Sequence, residues 1–172
     1  MNMRAGFFLS AIAASLLSAC ATSVSGPMAS ADLQARSGSS VGGKVTFTEV
    51  KGGLRVDTQV AGLTPGEHGF HVHEAGDCSA PDASSAKGHF NPGGKAHGHH
   101  AGSERHGGDM PNLVANSGGD ARFSGVVEGL SLSGVTGVVG RSVVIHADPD
   151  DYKSQPAGNS GKRVACGVIV AR

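Results

Sequence analysis

The stretch Glu67-His68-Gly69-Phe70-His71-Val72-His73 carries three histidines in seven residues. On an extended strand side chains alternate between faces, so His71 and His73 project together while Phe70 and Val72 point together to the other side. One short segment thus offers an apolar face to bury and an imidazole pair to bind with. Two neutral imidazoles on a stiff strand make half of a copper or zinc site. His68 shares the parity of Phe70 and Val72 and is therefore expected not to be a ligand. A surface His-x-His without partners would mean little. Here the partners follow: His89, His97, His106 and Asp109 in one long polar stretch, and His146 on a later apolar segment. Such a density of ligands does not read as a solvated face.

These side chains need a scaffold, and the composition describes one. The chain of 172 residues suits one domain, with 28 glycines, few aromatics, no Trp and nine histidines. Short Val-rich segments between glycine turns favour an all-β domain. The 14 basic and 14 acidic residues balance, which argues against a nucleic-acid surface.

The first residues read as a targeting segment. Arg4 supplies a positive start and Ala5 to Leu17 an apolar run too short for a membrane span. Leu17-Ser18-Ala19-Cys20 resembles the lipobox of bacterial lipoproteins. That resemblance implies a signal peptide over 1–19, lipidation of Cys20, and export to the periplasmic side of the cell envelope with a membrane anchor. Residues 20–40, rich in Ser, Ala and Gly, read as a flexible tether, with a short edge strand over Asp32–Ala35 as the alternative. The domain is then 41–172. With Cys20 lipidated, Cys78 and Cys166 remain, an even pair in a compartment where disulfides persist.

Strands are expected over Val41–Val50, Leu54–Val60, the histidine segment, Ala121–Val127, Val135–Val139, Arg141–His146 and Val164–Val170. Lys51-Gly52-Gly53 supplies a hairpin turn between the first two. From Glu74 to about Gly119 no periodicity is visible, and a loop that long needs a function to justify it. Asp148 to Lys162 forms a second long polar loop. The expectation is an antiparallel Greek-key sandwich or flattened barrel of seven to eight strands carrying two long functional loops.

Several segments together resemble the copper/zinc superoxide dismutase family: Gly69-Phe70-His71-Val72-His73-Glu74, Gly88-His89-Phe90-Asn91-Pro92 followed by His97, His106-Gly107-Gly108-Asp109, Gly140-Arg141-Ser142-Val143-Val144-Ile145-His146, and Gly158-Asn159-Ser160-Gly161-Lys162-Arg163-Val164-Ala165-Cys166-Gly167-Val168-Ile169. The resemblance runs from about Val41 to the C-terminus. It implies copper ligands His71, His73, His89 and His146. It implies zinc ligands His89, His97, His106 and Asp109, with His89 bridging both ions. It further implies that Asp150 bonds one histidine on each side, that Arg163 stands beside the copper, and that Cys78 and Cys166 form a disulfide. Superoxide is the implied substrate, converted to dioxygen and hydrogen peroxide.

The residue chemistry supports these roles. Zinc has no accessible redox step, so a one-electron cycle needs copper, for which imidazole is a suitable ligand. Three histidines and an aspartate make a closed structural zinc set. Arg163 would concentrate and hold a small anion. His99 and His100 have no place in that ligand set and read as solvated loop residues; Lys153 and Lys162 are candidates for anion guidance. The alternative function is a non-catalytic copper/zinc-binding or metal-delivery protein of the same fold. A missing copper ligand or a missing Arg163 would favour it, and neither is missing. Monomer and homodimer both stay open.

Overall fold

A computed structural model describes residues 26–172; the expected signal peptide 1–19 and Cys20 lie outside the described residues. Among the described residues ten strands form one antiparallel sheet: β1 (Met28–Ala35), β2 (Gly42–Val50), β3 (Gly53–Ala61), β4 (Gly66–His68), β5 (Phe70–His73), β6 (Leu113–Ala115), β7 (Ala121–Glu128), β8 (Ser142–His146), β9 (Arg163–Val168) and β10 (Val170–Ala171). Their spatial order is β4-β6-β7-β3-β2-β1-β9-β8-β5, with β10 also on β1. The two ends of that path, β4 and β5, are joined in sequence by Gly69 alone. The sheet therefore curls until its edges meet, as a nearly closed barrel.

The β2–β3 hairpin follows the expected alternation. Val45 and Phe47 point inward against Leu54, Val56, Thr58 and Val60, and the turn holds Gly52 at φ 93°. That conformation favours glycine. The core collects Phe47, Leu54, Phe70, Val72, Phe90, Met110, Leu113, Val143, Ile145 and Ile169 from nearly every strand.

Three expectations need correction. Residues 28–35 are not tether but β1, which lies between β2 and β9 in the middle of the sheet. Its inward residues Ala29 and Ala31 are small enough for the composition to imitate a linker. The histidine segment is not one strand: β4 pairs with β6 and β5 pairs with β8, with the break at Gly69. A Cβ at position 69 would stand 2.7 Å from the Ser160 hydroxyl and 2.8 Å from its Cβ, so only glycine fits this corner. Val135–Val139 is not a strand either; Val138 is buried while Val135 is 81% exposed, and one bridge joins Ser131 to Gly137.

Cys78 and Cys166 are bonded and separated by 88 residues, tying the loop after β5 to β9. Closing a loop of that length stabilises the fold by up to ~4–5 kcal/mol in the chain-entropy account. Reduction is expected to lower the thermal midpoint and to weaken zinc retention. Equal zinc affinity in the oxidised and reduced forms would contradict this.

Candidate metal centre

β5 and β8 are buried along their whole length. Strand alternation still holds, because the two faces meet different surroundings. Phe70, Val72, Val143 and Ile145 enter the barrel core, while Val144 packs against Cys78, Ala83, Ala86 and Cys166 under the disulfide loop. The register pairs His71 with Val144 and His73 with Ser142, which places both histidines on that outer, loop-covered face. His146 ends β8 with the same parity, at a register shift between Ile145 and His146.

β5 is an edge strand, and its unpaired main chain would be costly to leave bare. The long loop satisfies it. Phe90 N–H donates to Val72 O at 2.8 Å, and Val72 N–H donates to Gly108 O at 3.0 Å. Gly108 N–H returns to Phe90 O at 2.8 Å. Bridges His73–His89 and His71–Asp109 follow from this pairing. The same hydrogen bonds that cap the sheet edge thus deliver His89 and Asp109 to the strand that carries His71 and His73.

Among the described residues two groups of potential ligands result, each with its donor atoms within 4.8 Å of one another: His71, His73, His89 and His146, and His89, His97, His106 and Asp109. All seven residues are buried. His89 belongs to both groups, with its ring 3.9 Å from that of His71 and 5.4 Å from that of His106.

The donor atoms test whether metals fit. His71 Nδ1, His89 Nε2, His97 Nδ1 and His106 Nδ1 are buried without a hydrogen-bond partner. Buried polar atoms are seldom left so, and four in two clusters point to missing cations. Around Asp109 Oδ1 stand His89 Nδ1 at 2.8 Å, His97 Nδ1 at 3.1 Å and His106 Nδ1 at 3.4 Å. A tetrahedron with zinc–ligand bonds of ~2.0–2.1 Å has edges of roughly 3.3 Å, so these separations are those of a zinc cage. His146 Nε2 and His73 Nε2, 3.4 Å apart, are spaced as two ligands of one ion. The residues fit a copper and a zinc.

The rings of His71, His73 and His97 are each oriented by a bond at the other nitrogen. His73 Nδ1 donates to Lys87 O at 2.9 Å, leaving Nε2 free. His71 Nε2 and His97 Nε2 donate to the two oxygens of Asp150, at 2.8 and 2.9 Å, leaving both Nδ1 atoms free. Asp109 Oδ2 accepts from the N–H groups of His106 and Gly98, which frees Oδ1 to face the cage. Gly158 adopts φ 66°, and a Cβ there would land on the Asp150 carboxylate. His68 accordingly takes no part: Nδ1 bonds His146 O at 2.8 Å and Nε2 bonds Thr64 O at 2.8 Å, so it packs rather than ligates.

Burial, followed by the neighbouring imidazoles, holds His71 and His73 well below the ordinary imidazole range. Burial likewise lowers His89, and burial with His89 beside it lowers His146 to about 3. Asp109 is held well below the usual carboxylate range; burial opposes this, but contacts from His106 and His89 prevail. The rings of His71, His73, His89 and His146 are thus neutral at physiological pH, the form that binds metal. In the unfolded chain they titrate near 6.5. Between that value and their lower folded values the unfolded state binds more protons, so stability of the metal-free protein falls as pH drops below about 6.5. The slope is up to ~1.4 kcal/mol per pH unit for each histidine. Thermal unfolding of the metal-free protein from about pH 7 to about pH 4 checks this, and a flat midpoint contradicts it.

Arg163 opens β9, and its Nη1 donates to Ala83 O at 2.7 Å. With His146, Asn159, Ser160 and Gly161 it lines a depression of about 340 Å³ that meets the copper group at His146. Lys153 and Lys162 are exposed on the same loop. His99 and His100 lie outside both groups, with rings 4.3 Å apart and His99 4.7 Å from Tyr152. The sequence reading missed Asn112, whose side chain grips the main chain of Asp150 at both N–H and C=O.

The chain is similar to known proteins over most of its length. A family model described as copper/zinc superoxide dismutase matches residues 41–169. A superoxide dismutase [Cu-Zn] of Deinococcus radiodurans is 44% identical over 167 residues, 90% of this chain and 90% of the relative. A second, of Aquifex aeolicus, is 44% identical over 133 residues, 74% of this chain and 78% of the relative. The crystal structure of the clock protein EA4 superposes with a TM-score of 0.78 at 42% identity, covering 86% of this chain and 97% of that one. The chain belongs to the copper/zinc superoxide dismutase family.

Proposed function

We propose that this protein is an exported, lipid-anchored superoxide dismutase that converts two superoxide anions to dioxygen and hydrogen peroxide at the His71–His73–His89–His146 site. The observation that carries the reading is the shared ring of His89, with Nδ1 at the Asp109 cage and an unpartnered Nε2 among the copper ligands. Bound copper supplies the one-electron redox step, and zinc, which has none, is structural.

The chain supplies the rest. Arg163, half-buried at the rim, attracts the anion and holds it by a charge-assisted hydrogen bond. His89 Nε2 takes and hands on a proton while Asp109 keeps Nδ1 in place. Asp150 holds the rings of His71 and His97 against rotation. Both cages are completed within one chain, so the chemistry holds for a monomer or a homodimer.

Superoxide decay measured with metal-loaded and metal-free protein tests the activity. Acceleration that requires copper supports it; decay no faster than in buffer overturns it. Arg163→Ala is expected to slow turnover roughly ten-fold at low ionic strength and to flatten its salt dependence. An unchanged rate and salt slope would remove Arg163 from the account.

The anchor is supported by Arg4, the apolar run Ala5–Leu17 and the Leu17-Ser18-Ala19-Cys20 motif. The Cys78–Cys166 bond suits an oxidising compartment such as the periplasmic side of the cell envelope. Acyl chains on Cys20 would hold the domain at a membrane, each buried CH₂ contributing ~0.8 kcal/mol. Mass analysis of the mature N-terminus checks this: a lipidated Cys20 is expected, and an unmodified Cys20 contradicts it.

A further inference from the structure

We propose that Asn112 is a positioning residue for the metal centre, acting on both cages through Asp150. Asp150 lies in the long loop between β8 and β9, where no strand ladder holds its main chain. One side-chain amide does so instead. Asn112 Oδ1 accepts from Asp150 N–H at 3.0 Å, and Asn112 Nδ2 donates to Asp150 O at 3.0 Å. An amide gripping both polar groups of one residue does what a neighbouring strand would do.

The clamp is itself fixed. Asn112 directly precedes β6, which is paired to β4, and it follows the zinc ligand Asp109 by three residues. Its Nδ2 also donates to Glu67 Oε2 at 3.2 Å, and its own N–H donates to the Tyr152 hydroxyl at 2.8 Å. Tyr152 closes the circuit, since its N–H donates to Asp150 Oδ1 at 2.7 Å. It does so from φ 58°, a left-handed conformation that a bulky residue adopts only where its surroundings impose it. Main chain and carboxylate of Asp150 are therefore set by two linked residues, neither of which touches a ligand ring through its side-chain polar atoms.

The consequence follows from what Asp150 does. Its oxygens hold His71 Nε2 and His97 Nε2, which fixes each ring with Nδ1 facing a cation. Without the Asn112 amide the loop can shift, the carboxylate leaves its two rings, and zinc is held by a complete but poorly aimed ligand set. Partners of this kind change metal affinity roughly 10- to 100-fold when removed. Asn112 acts one step further out, and about ten-fold faster zinc loss is expected.

This inference rests on the reading of the centre as a copper and zinc site, and its readouts are zinc retention and ligand geometry rather than turnover. If the loaded parent protein fails to remove superoxide, the functional reading falls and the zinc comparison stands. The experiment compares the parent, Asn112→Ala, Asp150→Ala and the double variant, each as the full domain with both metals. Zinc transfer to a chelator gives the loss rate, and cobalt in the zinc cage gives a visible spectrum sensitive to ligand geometry. Asn112→Ala is expected to speed zinc loss about ten-fold and to alter the cobalt spectrum, with no further effect in the Asp150→Ala background. Asn112→Asp, which keeps the acceptor but sets a carboxylate oxygen against Asp150 O and Glu67 Oε2, is expected to lose zinc at least as fast as Asn112→Ala, and serves alone where the alanine variant does not fold. Parental zinc loss and cobalt spectrum, or effects that multiply with those of Asp150→Ala, would overturn the proposal.

Discussion

His89→Ala is expected to cut superoxide turnover by roughly a hundred-fold or more and to weaken both metals in one step. Any other ligand substitution opens a single cage. His89 alone appears in both groups, its Nδ1 2.8 Å from Asp109 Oδ1 and its Nε2 unpartnered among the copper ligands. Losing a ring also empties the middle of the centre, since His71 stacks on it at 3.9 Å. Metal content per chain after dialysis, measured beside superoxide decay, checks the expectation. A variant that keeps copper and zinc at parental affinity would show that the ring is not shared.

Asp150→Ala follows in size, with a loss of about 10- to 100-fold in zinc affinity although no ligand is removed. The carboxylate accepts from His71 and His97, two buried N–H groups that the alanine would leave without partners. Each unsatisfied group costs ~1–3 kcal/mol, and either ring can escape that cost by rotating away from its cation. Competition against a chelator of known affinity measures the effect. Parental zinc affinity in this variant would contradict the orienting role.

How much of this is legible in the sequence depends on how local the cause is. The facing of His71 and His73 is visible because alternation is a property of the strand itself, and it survives although both faces of β5 are buried. The exclusion of His68 comes out the same way, even though Gly69 breaks the segment into two strands on different edges of the sheet. The break is hidden because the side chain that crowds Gly69, Ser160, lies far along the chain. β1 is hidden for another reason: Ala29 and Ala31 fit a crowded interior by being small, and small residues also make linkers. β6 is three residues long, too short for any period to register. The ligands themselves could be matched to their spacing and family resemblance, whereas Asn112 could not be found that way. It binds main chain of a residue 38 positions away, and a main-chain contact leaves no mark on the partner's side-chain type.

The central claim is geometric: two cation cages share the imidazole of His89. Loading copper into both cages and recording the electron paramagnetic resonance spectrum tests it most directly. A ring bound to both ions couples their unpaired electrons, and the account predicts a coupled pair whose signal separates into that of single copper ions when His89 is replaced. Two independent copper signals in the parent protein would contradict it.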